Sequence, residues 1–139
     1  MQTVQPSFLL KTILLIDAAA SGAMAAAHLL FPGMLQATLA LPGALLAGTG
    51  AFLVAYVALL VVLARSRTVW RPLVLFVIAG NVGWAAASLA LPVTGIIAPN
   101  ALGTAYVIVQ ALGVLAFAAL QYRGLARSAP AVHRGAALA

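Results

Sequence analysis

The sequence predicts an all-α membrane protein in which four transmembrane helices form an antiparallel bundle. The 139 residues are 65% hydrophobic and 6% charged, whereas a soluble domain carries about 25% charged residues. The stretch 72–122 contains no formal charge. Four apolar runs each reach the length of about 20 residues that a helix needs to cross the hydrocarbon core. Together these observations exclude a water-soluble globular protein.

The predicted spans are separated by residues that start or end helices. Proline and glycine pairs flank the first loop at 32–33 and 42–43, and Ser7 and Asn100 stand where N-caps are expected. A secretory signal is an alternative interpretation of the first span, but its length and the acidic Asp17 favour a true span. We predict a four-span bundle over residues 1–123, with spans at about 8–30, 44–64, 72–91 and 101–122.

Two segments lie outside the predicted spans. The first loop, 31–43, is apolar, so we expect it to lie in the membrane interface and to cap the bundle. The segment 124–139 is rich in Ala, Arg and Gly without apolar periodicity, and it is predicted to be a flexible basic cytoplasmic tail.

The basic residues predict the orientation. They lie near the start of the first span, in the middle loop and after the last span, whereas the other two loops are uncharged. The positive-inside rule therefore places both termini in the cytoplasm. The use of one Lys and six Arg in an Ala-rich chain is typical of a GC-rich bacterial genome, so we expect a bacterial inner membrane protein. The basic residues are Lys11, Arg65, Arg67, Arg71, Arg123, Arg127 and Arg134.

The rarity of reactive side chains limits the chemistry. The chain has no cysteine and one acidic residue, so thiol chemistry and paired-carboxylate catalysis are excluded. No phosphate-binding glycine loop and no spacing typical of metal ligands is present. We expect no enzymatic activity, no cofactor and no metal. We also expect no nucleic-acid partner, because the basic residues flank membrane spans.

An offset of sixty residues relates the ends of the first and third spans. Residues 25–32 and 85–92 are identical at five of eight positions. This similarity suggests two repeated hairpins related by a pseudo-twofold axis along the membrane normal. Because the chain is rich in Ala, a chance similarity between the two segments is the alternative to a true internal repeat.

Polar residues of the spans share one face of each helix and lie at similar depths. Because polar side chains in a membrane usually face protein or a water-filled cavity, we expect these faces to meet inside the bundle. Asp17, the only acidic residue, lies near mid-membrane, with Tyr56, Asn81 and Gln110 as candidate hydrogen-bond partners. The predicted ligand-binding residues are Asp17, Ser21, Tyr56, Asn81, Trp84 and Gln110.

Two motifs carry a resemblance to known proteins. Asn81-x-x-Trp84 and the face from Gly103 to Gln121 with Gln110-Ala111 resemble small four-helix bacterial inner-membrane proteins of uncharacterised function. The size, helix number and single acidic residue in helix one are also similar to the small multidrug resistance transporters. That similarity implies proton-coupled transport by a homodimer. The chain departs from that family in having Asp17 rather than Glu, and a long apolar first loop.

Two functional hypotheses follow. The first is a protein that binds or transports a small cationic or amphipathic ligand, or a proton, in a polar core centred on Asp17. The second is an accessory or assembly subunit that packs against a larger membrane complex through its small-residue faces. A cavity is expected for the first and a filled core for the second. A structural role for Asp17, joining helices by hydrogen bonds, remains the alternative to a ligand site.

Overall fold

The computed structural model describes residues 2–131 and confirms the all-α class. Within this range the chain forms five helices and three short strands. Four helices are long and apolar enough to cross a membrane, and α2 is a short helix in the first loop. The helices are α1 (Phe8–Leu30), α2 (Pro32–Leu39), α3 (Gly43–Arg65), α4 (Arg71–Val93) and α5 (Ala101–Ala126), and the strands are β1 (Thr3–Gln5), β2 (Val69–Trp70) and β3 (Ala129–Pro130).

Both predicted N-caps are confirmed. The Ser7 hydroxyl accepts a hydrogen bond from the Leu10 backbone N–H at 3.1 Å, and Asn100 Oδ1 accepts one from the Gly103 N–H at 2.8 Å. The Ser7 hydroxyl also donates to the Gly124 carbonyl oxygen at 2.7 Å. The first turn of α1 is therefore attached to the end of α5.

The four long helices form an up-and-down bundle with one open seam. Backbones pack closely between α1 and α3, between α4 and α5, and between α1 and α5, whereas α3 and α4 barely approach each other. Helices α1 and α5 approach each other closely at Gly124, where an added Cβ would lie 2.7 Å from Leu10 Cα. The backbones of α3 and α4 show no comparable close contact.

Residues sixty positions apart on α1 and α4 are buried to a similar extent. Leu14 and Val74 are both fully buried, and Ala25 and Ala85 are nearly so. The helices also pair as two hairpins, α1 with α3 and α4 with α5. A twofold relation would require α3 and α4 to pack as α1 and α5 do, so the arrangement departs from symmetry at the open seam.

One end of the bundle, here called the sheet end, is closed by the three strands. Strand β1 pairs antiparallel with both β2 and β3, in the order β2-β1-β3. This sheet joins the N-terminal segment, the loop between α3 and α4, and the segment after α5. Val4 of β1 and Val69 of β2 are buried against the helical core.

The sheet corrects the prediction that a flexible tail begins at Gly124. Helix α5 continues to Ala126, because Leu125 is buried in the core and the Gly124 carbonyl accepts hydrogen bonds from two serine hydroxyls. The Ala131 N–H then donates to the Thr3 carbonyl oxygen at 3.0 Å. The remainder of the predicted tail, 132–139, lies outside the described residues.

The opposite end, here called the α2 end, is closed by the first loop. Helix α2 ends at Leu39, and the residue that follows it, Ala40, has the left-handed φ of 53°. The turn buries Leu39 and Leu41 against residues of the loop between α4 and α5 and of the helices α3 and α5. The structure thus agrees with the expectation that this apolar loop caps the bundle.

Candidate functional site

Asp17 is the centre of a hydrogen-bonded cluster to which all four long helices contribute. Its side chain is only 1% exposed, and its partners are uncharged. Oδ1 accepts a hydrogen bond from the Ser21 hydroxyl at 3.0 Å. Oδ2 lies 2.7 Å from Gln121 Nε2, 3.0 Å from Tyr56 Oη and 3.3 Å from Asn81 Nδ2. We call these five residues the Asp17 cluster.

The residues around Asp17 also contact one another. Tyr56 Oη lies 3.0 Å from Asp17 Oδ2 and 2.8 Å from Asn81 Oδ1, and because a tyrosine hydroxyl has one hydrogen to donate, these two oxygens share it. Asn81 Nδ2 donates to Asp17 Oδ2 and also to Gln121 Oε1 at 3.2 Å. Tyr56, Asn81 and Gln121 are therefore linked to one another as well as to Asp17.

A cavity of about 550 Å³ lies beside the Asp17 cluster, between all four long helices. Its walls are mostly aliphatic and aromatic. Ser21, Tyr56 and Asn81 form part of its polar wall, but Asp17 itself lies behind them and does not line the cavity. The side chains that carry the cavity's polar atoms are Ser21, Tyr56, Asn81, Trp84 and Gln110.

Trp84 and Gln110 form the second part of the polar wall. Trp84 Nε1 donates to Gln110 Oε1 at 3.3 Å, and the indole stacks on Phe52 with ring centroids 5.4 Å apart. Gln110 was a candidate partner of Asp17, but its carbonyl oxygen accepts from Trp84 instead. Within residues 2–131 the Gln110 amide nitrogen has no hydrogen-bond partner, so its N–H groups are available to a molecule in the cavity.

Five of the six predicted site residues therefore share one cavity, and the sixth, Asp17, supports that cavity's wall. Gln121 is the member of the cluster that the predicted site lacked. The sequence shows that Gln121 lies on the same face of the fourth span as Gln110. Its distance from the end of the span, however, places its backbone at a different membrane depth from that of Asp17.

A second polar cluster lies nearer the α2 end and is centred on His28. His28 is buried, with Nδ1 2.8 Å from Thr49 Oγ1 and Nε2 2.8 Å from Tyr106 Oη. Because the Thr49 hydroxyl donates to the Leu46 carbonyl oxygen at 3.1 Å, it accepts from His28, and the neutral ring then carries its hydrogen on Nδ1. A smaller cavity of about 150 Å³ adjoins this cluster.

The two cavities are adjacent along the bundle. Both are lined by Met24, Trp84 and Gln110, so these three side chains form the wall between them. Among the described residues, no three His, Cys, Asp or Glu side chains come together as a metal site would require. The arrangement can offer hydrogen bonds, aromatic faces and apolar surface to a ligand.

Comparison of the chain with protein-family models, with curated proteins and with solved structures found no match. The four candidate membrane helices are consistent with a small membrane protein. The resemblance to the small multidrug resistance transporters thus rests on size, helix number and one acidic residue.

Proposed function

We propose that this integral membrane protein binds a small uncharged amphipathic molecule in the cavity beside the Asp17 cluster. The observation that carries the proposal is the cavity itself: about 550 Å³ of mostly apolar space with hydrogen-bonding groups along part of its wall. Such a combination is typical of small-molecule sites, where apolar walls supply affinity and a few polar groups fix orientation.

The lining favours an uncharged ligand over a cationic one. No residue with a formal charge lines the cavity, since Asp17 is separated from it by Ser21, Tyr56 and Asn81. A buried ion without an opposite charge is costly in a medium of low dielectric constant. A hydroxyl or carbonyl group, in contrast, could accept a hydrogen bond from the Gln110 amide at little cost.

The cavity also bears on the accessory-subunit hypothesis. That hypothesis expects a filled core, because its function resides on the outer helix faces. A space large enough for a small molecule, with a free amide group on its wall, supports ligand binding instead. A bundle with no ligand role would gain packing energy by filling such a space.

The charge distribution supports the proposed location in a bacterial inner membrane with both termini in the cytoplasm. All Lys and Arg residues within 2–131 lie at the sheet end, in the last or first turns of the long helices or in the segments that join them to the strands, and the α2 end has none. This asymmetry is the one that the positive-inside rule associates with the cytoplasmic side.

Fluorescence of Trp84 tests the proposal directly. The chain has two tryptophans, so a Trp70→Phe background leaves Trp84 as the only indole, and Trp84 lines the cavity. We expect dibrominated stearyl alcohol to quench Trp84 in detergent micelles in a saturable manner, because bromine quenches on contact.

A matched pair of glycine variants supplies the control. A Cβ added at Gly80 or at Gly83 meets nothing within 4 Å, but only Gly80 lines the cavity. Gly80→Leu should therefore occupy part of the cavity and weaken saturable quenching, while Gly83→Leu, on the same helix, should leave it intact. Equal quenching in both variants would contradict binding in the cavity.

A further inference from the structure

The cavity is open towards the side of the bundle. Two aromatic residues of its lining, Phe52 on α3 and Phe76 on α4, are 54% and 70% exposed. They lie on the two long helices that barely approach each other. Because both helices are candidate membrane spans, the opening between them faces the hydrocarbon of the bilayer. We call this opening the α3–α4 window.

The window has definite limits along the bundle. Towards the α2 end it is bounded by the stacked rings of Phe52 and Trp84, which reach across from α3 to α4. Towards the sheet end the helices converge on the loop 66–70, which joins them directly. Phe76 and Trp84 are eight residues apart on α4, so the window extends about 12 Å along the helix axis.

Packed side chains lie between the cavity and each end of the bundle. Towards the sheet, the fully buried side chains of Leu10, Leu60 and Val74 pack between the helices. Towards the other end, beyond the smaller cavity, Leu39 and Leu41 of the α2 turn pack against Leu46, Ile97 and Val107. The window, in contrast, has the exposed rings of Phe52 and Phe76 at its edge.

We propose that the ligand is a lipid-like molecule that reaches the cavity sideways from the bilayer through the α3–α4 window. This inference rests on the proposed binding function and names its substrate class and route. The occupant is a single-chain amphipath with an uncharged hydroxyl or carbonyl end. That end accepts a hydrogen bond from the Gln110 amide, while the chain lies against the aromatic and aliphatic walls and extends through the window.

The chemistry of the surroundings supports this choice. A water-soluble ligand would have to cross hydrocarbon to reach a window at mid-membrane, whereas an amphipath dissolved in the bilayer is already there. The window edge is made of Phe52 and Phe76, which suit an alkyl chain. The polar groups lie deeper, where they can bind a single end group without exposing it to lipid.

A reversible crosslink across the window tests the route. Ala55 on α3 and Phe76 on α4 both line the cavity and are exposed. The chain has no cysteine, so Ala55→Cys and Phe76→Cys place the only two thiols on the two helices that flank the window, in the Trp70→Phe background. A bis-methanethiosulfonate reagent with a short alkyl spacer then joins α3 to α4, and a reductant releases them. The two single-cysteine variants, treated with the same reagent, are controls for modification alone.

The order of addition decides the outcome in lipid nanodiscs. Dibrominated stearyl alcohol added after crosslinking should fail to quench Trp84, and quenching should return when the reductant is added. The same alcohol added before crosslinking should be trapped, so that quenching persists after dilution into vesicles without bromine until the crosslink is cleaved.

The possible failures are distinguishable. Equal quenching and equal release with and without the crosslink would overturn the lateral route while leaving the cavity as a binding site. A lack of saturable quenching in the protein without a crosslink would overturn the proposed function, and with it this inference. Loss of quenching in either single-cysteine control would show that modification of the edge, rather than closure, is responsible, and would also count against the route.

Discussion

At the scale of single residues, the main result is that Asp17 lies behind the cavity wall. Its carboxyl group fixes Ser21, Tyr56 and Asn81, which do face the cavity. Asp17 therefore has a structural role that also serves the cavity. It holds helices together by hydrogen bonds, and the same hydrogen bonds position the polar side chains of the cavity wall. A direct ionic contact with a ligand is not required of it.

Substitutions of Asp17 separate its charge from its hydrogen bonds. Asp17→Asn keeps an acceptor for the Gln121 and Asn81 amides, so we expect the free energy of unfolding in detergent to fall by less than about 1 kcal/mol. Asp17→Ala leaves those buried N–H groups without an acceptor and should cost about 1–3 kcal/mol. Thermal or denaturant unfolding of both variants is the measurement. An equal loss in the two would contradict the role of Asp17 as the hydrogen-bond acceptor of these amides.

The sequence predicted much of this site, because helical phase and depth locate polar residues well. Tyr56 and Asn81 reach Asp17 as their depths suggested. Gln121 could not be placed in this way, because side chains tilt towards the N-terminus of their own helix. In antiparallel α1 and α5 that tilt points Asp17 towards the sheet end and Gln121 away from it, so residues of different backbone depth meet.

At the scale of elements, the contact between α1 and α5 depends on a glycine. At Gly124 an added Cβ would lie 2.7 Å from Leu10 Cα and 2.8 Å from its backbone nitrogen. Backbone atoms cannot give way as a flexible side chain can. The helices would have to move apart, and the hydrogen bond from Ser7 to the Gly124 carbonyl oxygen would lengthen.

We therefore expect Gly124→Ala to lower the free energy of unfolding by about 1–3 kcal/mol, as overpacking commonly does. Gly113→Ala, on the same helix but with nothing within 4 Å of its Cβ, should raise it by about 0.5–1 kcal/mol, because alanine favours a helix over glycine. Denaturant titration in detergent compares the two variants. Similar stabilities would contradict the close approach of α1 and α5.

The four long helices were predictable, whereas the short helix α2 and the strands were not. Apolar runs of span length fix the long helices, and their ends differ from the predicted bounds by at most four residues, as where α4 continues to Val93 past Pro92. The strands are two or three residues long, too short to show an alternation of polar and apolar residues. They form because three chain segments meet at one end of the bundle, which only the tertiary fold determines.

At the scale of the whole molecule, the cavity opens to the side because the bundle is not symmetric. The sequence suggested two similar hairpins, and a symmetric bundle would close both seams between them. Here α1 and α5 are drawn together at Gly124, while α3 and α4 stay apart. The open seam could not be predicted from the sequence, since all four spans are similarly apolar.

The orientation of the molecule is testable by labelling. Thr68 lies in the loop at the sheet end and Ala98 in the loop at the α2 end, and both are exposed. In intact bacterial cells we expect a membrane-impermeant maleimide to label Ala98→Cys, and to label Thr68→Cys only after permeabilisation, because the basic end should face the cytoplasm. The reverse pattern would contradict the proposed topology.

If an uncharged amphipath occupies the space between α3 and α4, its position can be determined directly. A crystal structure of the protein with dibrominated stearyl alcohol, using anomalous scattering from bromine, would do so. We predict bromine peaks in the α3–α4 window near Phe76, with the hydroxyl end within hydrogen-bond distance of the Gln110 amide nitrogen. Bromine found only on the outer faces of the helices, with the cavity empty, would contradict the account.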